Sequence, residues 1–295
     1  MTLDEWRVAG AEFCHRGHRV FYRDGGVGEP LLLLHGYPTA SADWRRVWPG
    51  LTGQYRVLAA DMLGFGFSDK PIDYHYSVFD QASMIENWIE HLGVGRAHVL
   101  AHDLGDTLAQ ELLARHLARS ATDRAGLEIA SLTFLNGGLF PESHRALPLL
   151  RVLASPVGDW IAWAIGEAAF SRSYAGVFGE ATRPSVTDTA EAWSLVRGGG
   201  GLAIQRRLLG YFEERWRYRG RWVDALVRTH VPLLLVSGAA DPVAGVASAE
   251  RFREVVPRAK VVSLDGVGHY PQIEAPARVL DAYADFRDVV AERAA

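Results

Sequence analysis

The sequence predicts an α/β protein with a mostly parallel central sheet, helices on both faces and one long helical insertion. Three observations carry that prediction. Short apolar runs rich in Leu, Val and Ala recur along the 295 residues, the runs lack polar alternation, and stretches of helical spacing separate them. A strand without alternation is covered on both faces, as in a parallel sheet. Strand alternating with helix winds such a sheet through right-handed crossovers. A 48% apolar share over this length is enough for a sizeable core.

Taken in order, GHRVFYRDGG (17–26) alternates and ends in glycines, which suits an antiparallel hairpin at the sheet edge. The expected inner strands are LLLLHG (31–36), RVLAADM (56–62), AHVLAHD (97–103), ASLTFLN (130–136), VPLLLVSG (231–238) and AKVVSLDG (259–266). Helices are expected over 77–92, where Phe79, Ala82, Ile85 and Ile89 recur at three or four, and over 106–118, 246–256 and 275–291.

The alternation breaks between 139 and 225, which reads as helix and holds five of the nine tryptophans: Trp160, Trp163, Trp193, Trp216 and Trp222. Four glycines, 198–201, interrupt it. Such an insertion forms a cap over the carboxyl ends of the strands, where open α/β sheets bind ligands. The expected division is a core of 1–138 with 226–295 and a cap of 139–225. An aromatic-rich helical unit packed on itself would give the same composition.

Charge narrows the partner. The 31 basic and 35 acidic residues give a net charge of -4, and no stretch gathers Lys and Arg as nucleic acid or an anionic membrane demands. No run reaches the roughly 18 apolar residues of a membrane span. Cys14 has no second cysteine to pair with, and the polar start MTLDEWRVAG lacks the apolar stretch of a signal peptide. The expectation is a cytoplasmic monomer or homodimer acting on a small hydrophobic substrate and water, with no cofactor and no metal.

Chemistry concentrates where strands end. LAHDLGD (100–106) closes an apolar run and opens a helix. Small Ala101 and Gly105 flank Asp103, as a sharp strand-to-helix turn requires, and the following amide, that of Leu104, points into the site. Asp103 as a simple helix cap is the plain alternative. Two other strand ends weigh against it, since AADPV places Asp241 after one strand and VGHYPQ places His269 after the last. The order nucleophile, acid, histidine is that of the α/β-hydrolase triad. In LLLLHGYP, the residues His35, Gly36, Tyr37 and Pro38 follow the first long strand, so the Tyr37 amide is expected to join that of Leu104 in an oxyanion hole. The substrate pocket is expected to include His35, Gly36, Pro38, His102 and Trp163.

From about residue 15 to 290 the chain resembles the α/β-hydrolases of the epoxide hydrolase and haloalkane dehalogenase group. More closely, it resembles the mesoderm-specific transcript family through HGYPTASADW (35–44), DMLGFGFSDKP (61–71), HYSVFDQAS (75–83), HDLGDTLAQELL (102–113), NGGLFPESHR (136–145), RRLLGYF (206–212) and GHYPQIEAP (268–276). The resemblance implies the α/β-hydrolase fold, a cap inserted after the β6-type strand, an aspartate nucleophile and hydrolysis.

An aspartate needs no deprotonation at neutral pH and suits displacement at an activated sp3 carbon, forming an ester of the enzyme itself. Water activated by His269 and Asp241 then hydrolyses that ester. Epoxide opening wants a proton donor. The epoxide hydrolases use two cap tyrosines, and Tyr211 stands where one of them is kept, with Tyr174 as candidate for the other. Halide release wants N–H donors, and the place of the dehalogenase Trp is taken by Leu104, while position 37 is Tyr where Asn often stands. The arginines of fluoroacetate dehalogenases are missing after Asp103. Epoxide hydrolysis leads; dehalogenation, hydrolysis of carboxylic or lipid esters, and a binding module without turnover are the alternatives. His102, Asp106, Glu142, His144 and Arg145 read as elbow support, helix-start charge and a salt-linked hinge into the cap.

Overall fold

The computed structural model describes residues 1–145 and 147–294. Thr2 and Glu5 form a capping box that starts a first helix, α1 (Leu3–Val8), which the sequence reading did not foresee. Strands β1 (Ala11–His15) and β2 (His18–Gly25) pair antiparallel. The hairpin therefore lies earlier than expected, because 18–25 forms a single strand and Arg16 and Gly17, at φ 49 and 82, make the turn before it.

Six further strands follow: β3 (Glu29–Leu34), β4 (Tyr55–Ala60), β5 (Arg96–His102), β6 (Glu128–Leu135), β7 (Leu233–Gly238) and β8 (Lys260–Leu264). The sheet order is β1-β2-β4-β3-β5-β6-β7-β8, parallel from β4 through β8. The missing alternation has a plain physical reason. Leu31, Leu33, Val57 and Ala59 bury into one core layer, while Leu32, Leu34, Leu58 and Ala60 bury into the other.

The helices of the core are α2 (Trp48–Thr52), α3 (Val78–His91) and α4 (Leu104–Ser120), then α12 (Val246–Val255), α13 (Pro271–Glu274) and α14 (Pro276–Ala294). Among the described residues, the segment between β6 and β7 holds helices and no strand: α5 (Pro148–Leu153), α6 (Gly158–Ala164), α7 (Glu167–Ala175), α8 (Val186–Arg197), α9 (Gln205–Leu208), α10 (Tyr211–Arg217) and α11 (Arg219–Arg228). The glycine run makes a tight turn before α9, with Gly199 and Gly200 at positive φ. The expected cap boundary at 225 falls inside α11, which packs along α4 of the core through Trp222 and Glu111. Among the described residues no helix is long and apolar enough to cross a membrane.

Candidate active site

Asp103 follows β5 with φ 49 and ψ -106, a backbone conformation that costs a non-glycine residue about 1–3 kcal/mol. Its surroundings hold it there. The Asp103 N–H donates to the Leu135 carbonyl at 3.2 Å, and a Cβ on Gly105 would stand 2.2 Å from the Leu34 carbonyl oxygen. Only glycine permits that approach.

The carboxylate does not cap the helix that it opens. Instead its Oδ2 accepts the Tyr37 N–H at 3.1 Å. Gly36 brings that loop in, since a Cβ there would meet the Asp103 Cβ at 2.8 Å. Leu104 is the first residue of the 17-residue α4, so its amide lies at the positive end of the helix dipole. On the other carboxylate oxygen, Oδ1, stands a group from the cap: Arg215 Nη2 at 3.5 Å. Burial opposes the charge of Asp103, yet His269 and then Arg215 outweigh it and hold the carboxyl below its ordinary range.

His269 and Asp241 meet as their chain order predicts. His269 Nδ1 lies 2.9 Å from Asp241 Oδ2. Asp241 also accepts the amides of Val243 at 2.7 Å and Ala244 at 3.1 Å and the Asn136 side-chain amide at 2.7 Å. Burial opposes ionisation of Asp241, but His269 and these donors keep its carboxyl below the usual range. Burial likewise disfavours a charged imidazole, yet Asp241 and then Asp103 raise His269 to about 9. Both shifts run in the direction that favours carboxylate beside imidazolium.

Asp103 and His269 open on one cavity, with Tyr37, Pro38, Tyr211 and Tyr174. Its roof is aliphatic and comes from the cap, with Leu149, Leu150, Leu153, Ile165, Val196 and Leu202 among the walls. Tyr211 is buried and lines the cavity. Burial and then Asp103 push its phenol well above the ordinary range. Tyr174 stacks on Phe170 at 5.5 Å and meets Tyr270 at 5.2 Å.

Several expected pocket residues stand elsewhere. Trp163 is 82% exposed, on the outer face of α6 with Trp160, because Ala162 and Ile165 occupy the inward face. His35 lies behind the site, where its Nε2 accepts the Met62 amide and its Nδ1 donates to the Gly36 carbonyl. Gly36 shapes the loop without lining the cavity. His102 also lies outside the cavity, its Nε2 donating at 2.8 Å to the His269 carbonyl; burial and His269 lower it to about 3.

Asp106 is fully buried in the first turn of α4, where burial and then Asp103 raise its carboxyl well above the ordinary range. Glu142 pairs with Arg219 and Arg251, consistent with a salt-linked hinge. His144 turns into the cavity, kept neutral by burial and by Arg215.

Three functional positions escaped the sequence reading. Arg215 lies one helical turn beyond Tyr211. Asn136 directly follows β6; its Oδ1 accepts the Gly238 amide at 2.7 Å and its amide reaches Asp241. Gln205 accepts the Tyr37 hydroxyl at 2.6 Å and so ties the core loop to the cap. Among the described residues no cluster of His, Cys, Asp and Glu is arranged to hold a metal.

Residues 29–165 match the family model of the alpha/beta hydrolase fold. The mesoderm-specific transcript homolog protein of Bos taurus is 42% identical over 97% of this chain and 88% of its own length. The chain belongs to the mesoderm-specific transcript family. A second relative of this family member, the putative hydrolase LipZ of Mycobacterium tuberculosis, is 38% identical over 95% of the chain and 96% of its own. Among solved structures, the haloalkane dehalogenase DbeA-M1 loop variant from Bradyrhizobium elkanii aligns with a TM-score of 0.79 at 23% identity, over 97% of this chain and 98% of that one. At that identity the likeness shows the fold. The chain is thus a hydrolase of the α/β fold, and its elbow carries Asp103.

Proposed function

We propose that this hydrolase opens epoxides to diols through an ester formed on Asp103. One observation carries the reading: a buried, ionised carboxylate stands at the elbow, one oxygen on the Tyr37 amide, facing an apolar cavity shared with His269 and the Tyr211 phenol. A hydroxyl there would need His269 as base to attack an acyl carbon. A carboxylate attacks without that help.

In the first step an Asp103 oxygen bonds to an epoxide carbon and the ring C–O bond breaks. The ring oxygen takes the proton of Tyr211. In the second, the Asp103 charge is gone, and with it one of the charges that raise His269, so the imidazolium gives up its proton, which restores the Tyr211 phenol, and becomes a base. It takes a proton from water, which attacks the ester carbonyl, and the amides of Tyr37 and Leu104 stabilise the oxyanion. Collapse releases the diol and restores the carboxylate.

Dehalogenation fits less well. A departing halide needs donors in the cavity, and the residue after Asp103 is Leu104, whose side chain has none. The aliphatic roof supports an apolar substrate.

The test is His269→Gln incubated with styrene oxide and 1,2-epoxyalkanes, followed by mass spectrometry. An adduct of one epoxide mass on the peptide holding Asp103 is the expected result. Wild-type protein that hydrolyses none of these epoxides but releases halide from haloalkanes overturns the reading.

A further inference from the structure

Arg215 belongs to the cap, yet its guanidinium is only 2% exposed and lies against the elbow. Its Nε donates to Thr107 Oγ1 at 2.7 Å, and its Nη2 donates to the Asp103 carbonyl oxygen at 3.1 Å while standing 3.5 Å from Oδ1. The guanidinium carbon lies 4.5 Å from the centre of the Tyr211 ring. A buried cation without a partner costs several kcal/mol, and among the described residues Asp103 is the one acid paired with Arg215. The same guanidinium thus touches the group that attacks and the group that gives the proton.

We propose that Arg215 is the counter-ion of the opening step, balancing negative charge on Asp103 before attack and on the Tyr211 oxygen after it. This rests on the epoxide reading above. In that step an Asp103 oxygen forms a C–O bond, and the electron pair of the broken ring bond goes to the ring oxygen, which takes the Tyr211 proton. The carboxylate becomes a neutral ester and the phenol a phenolate. One negative charge has moved from the one contact of Arg215 to the other, and the buried cation is never left unpaired.

A cation lying over a ring is held more strongly when that ring shares a phenolate's charge. The ring neighbours of Tyr174 are Phe170, Phe178 and Tyr270, which assigns the proton transfer to Tyr211. Arg215 also weights the two halves of turnover differently. It stabilises the free carboxylate, which slows attack, and it opposes the build-up of an unbalanced phenolate, which speeds it.

Asp103→Asn is a neutral isostere of the ester and allows the charge coupling to be read without turnover. The Tyr211 phenol is titrated by NMR of protein labelled with 13Cζ-tyrosine, its signal identified by loss in Tyr211→Phe. Asp103→Asn is expected to make Tyr211 at least about tenfold more acidic. Adding Arg215→Met reverses the change, and adding Arg215→Lys reverses it only in part. A Tyr211 titration indifferent to residue 215 in the Asp103→Asn protein overturns the proposal.

The kinetic arm follows ester formation on His269→Gln with styrene oxide. Arg215→Met slows it at least about tenfold when Tyr211 is present and much less in Tyr211→Phe; independent, multiplicative losses point to a purely structural arginine and also overturn the proposal. Absence of any adduct before Arg215 is changed, with the NMR response intact, sinks the epoxide reaction and leaves the charge coupling measured.

Discussion

The floor and the roof of the cavity are held by different forces. The floor belongs to the core, where the acid and the histidine are fixed by hydrogen bonds: Asp241 accepts from two backbone amides, Asn136 and His269, and His269 is pinned through its carbonyl by His102. The roof belongs to the cap, and its aliphatic side chains are held by non-directional apolar contact. A hydrogen-bonded floor permits few geometries and therefore specifies chemistry. The roof tolerates exchange of one apolar residue for another of similar volume, so it sets which substrate fits.

The largest expected effect tests the floor. Asp103→Asn keeps the shape of the elbow but removes the charge that attacks in the proposed reaction. Epoxide turnover is expected to fall by about a thousandfold or more, and the melting temperature to fall as well, because the buried Arg215 and His269 lose the carboxylate charge beside them. Retained turnover would make the floor a scaffold without chemistry.

Asn136 separates positioning from backbone. It is buried, sits at φ 44 and makes hydrogen bonds to both Asp241 and Gly238. Asn136→Gly keeps the left-handed backbone at little cost, whereas Asn136→Ala adds strain. Each leaves buried partners unsatisfied, worth about 1–3 kcal/mol. Both variants are expected to unfold at lower denaturant, Ala below Gly, and to lose about tenfold in kcat as the Asp241–His269 pair loosens. Equal midpoints for the two would remove the backbone part of this account.

The pH dependence of stability follows from the same floor. His269 is raised from 6.5 to about 9 in the folded protein. Its proton therefore stabilises the fold fully below 6.5, and the contribution fades as pH rises through 9. For Asp103 and Asp241 the folded values lie below 3.8, so their contribution is present above that pH and is lost on acidification. Melting temperature is expected to decline between pH 6.5 and 9 in wild type and less steeply in His269→Gln. Parallel curves would mean that the imidazole titrates alike folded and unfolded.

The same division explains what could be read in the sequence. Asp103, Asp241, His269 and Tyr37 are found from their places after strands, because the backbone path of β3, β5, β7 and β8 fixes where those residues point. Helical spacing finds α3, α4, α12 and α14 to within a few residues for a similar reason: each packs one face on a sheet. In the cap no sheet sets the frame. Composition brought Trp163 into the pocket, but only the packing of α6 decides which of its faces turns inward, and it chose Ala162. Arg215 was silent because its partner lies 112 residues earlier, and no local pattern announces a contact made across a cavity. Asn136 reads as an ordinary turn residue until the Gly238 amide is seen against it.

The smallest expected effect sharpens the contrast inside the roof itself. Trp163 is 82% exposed, whereas Trp193 is 8% exposed and lines the cavity beside Phe170. Trp163→Ala should leave KM and kcat unchanged and shift stability by no more than about 0.5 kcal/mol, as for an ordinary surface position. Trp193→Ala removes a packed wall, for a cost of about 3–5 kcal/mol, and should change the ranking of epoxides by chain length while leaving ester hydrolysis at the floor intact. If Trp163→Ala instead altered substrate ranking as much as Trp193→Ala, the outer face of α6 would meet substrate on its way in, and the roof would act from both sides.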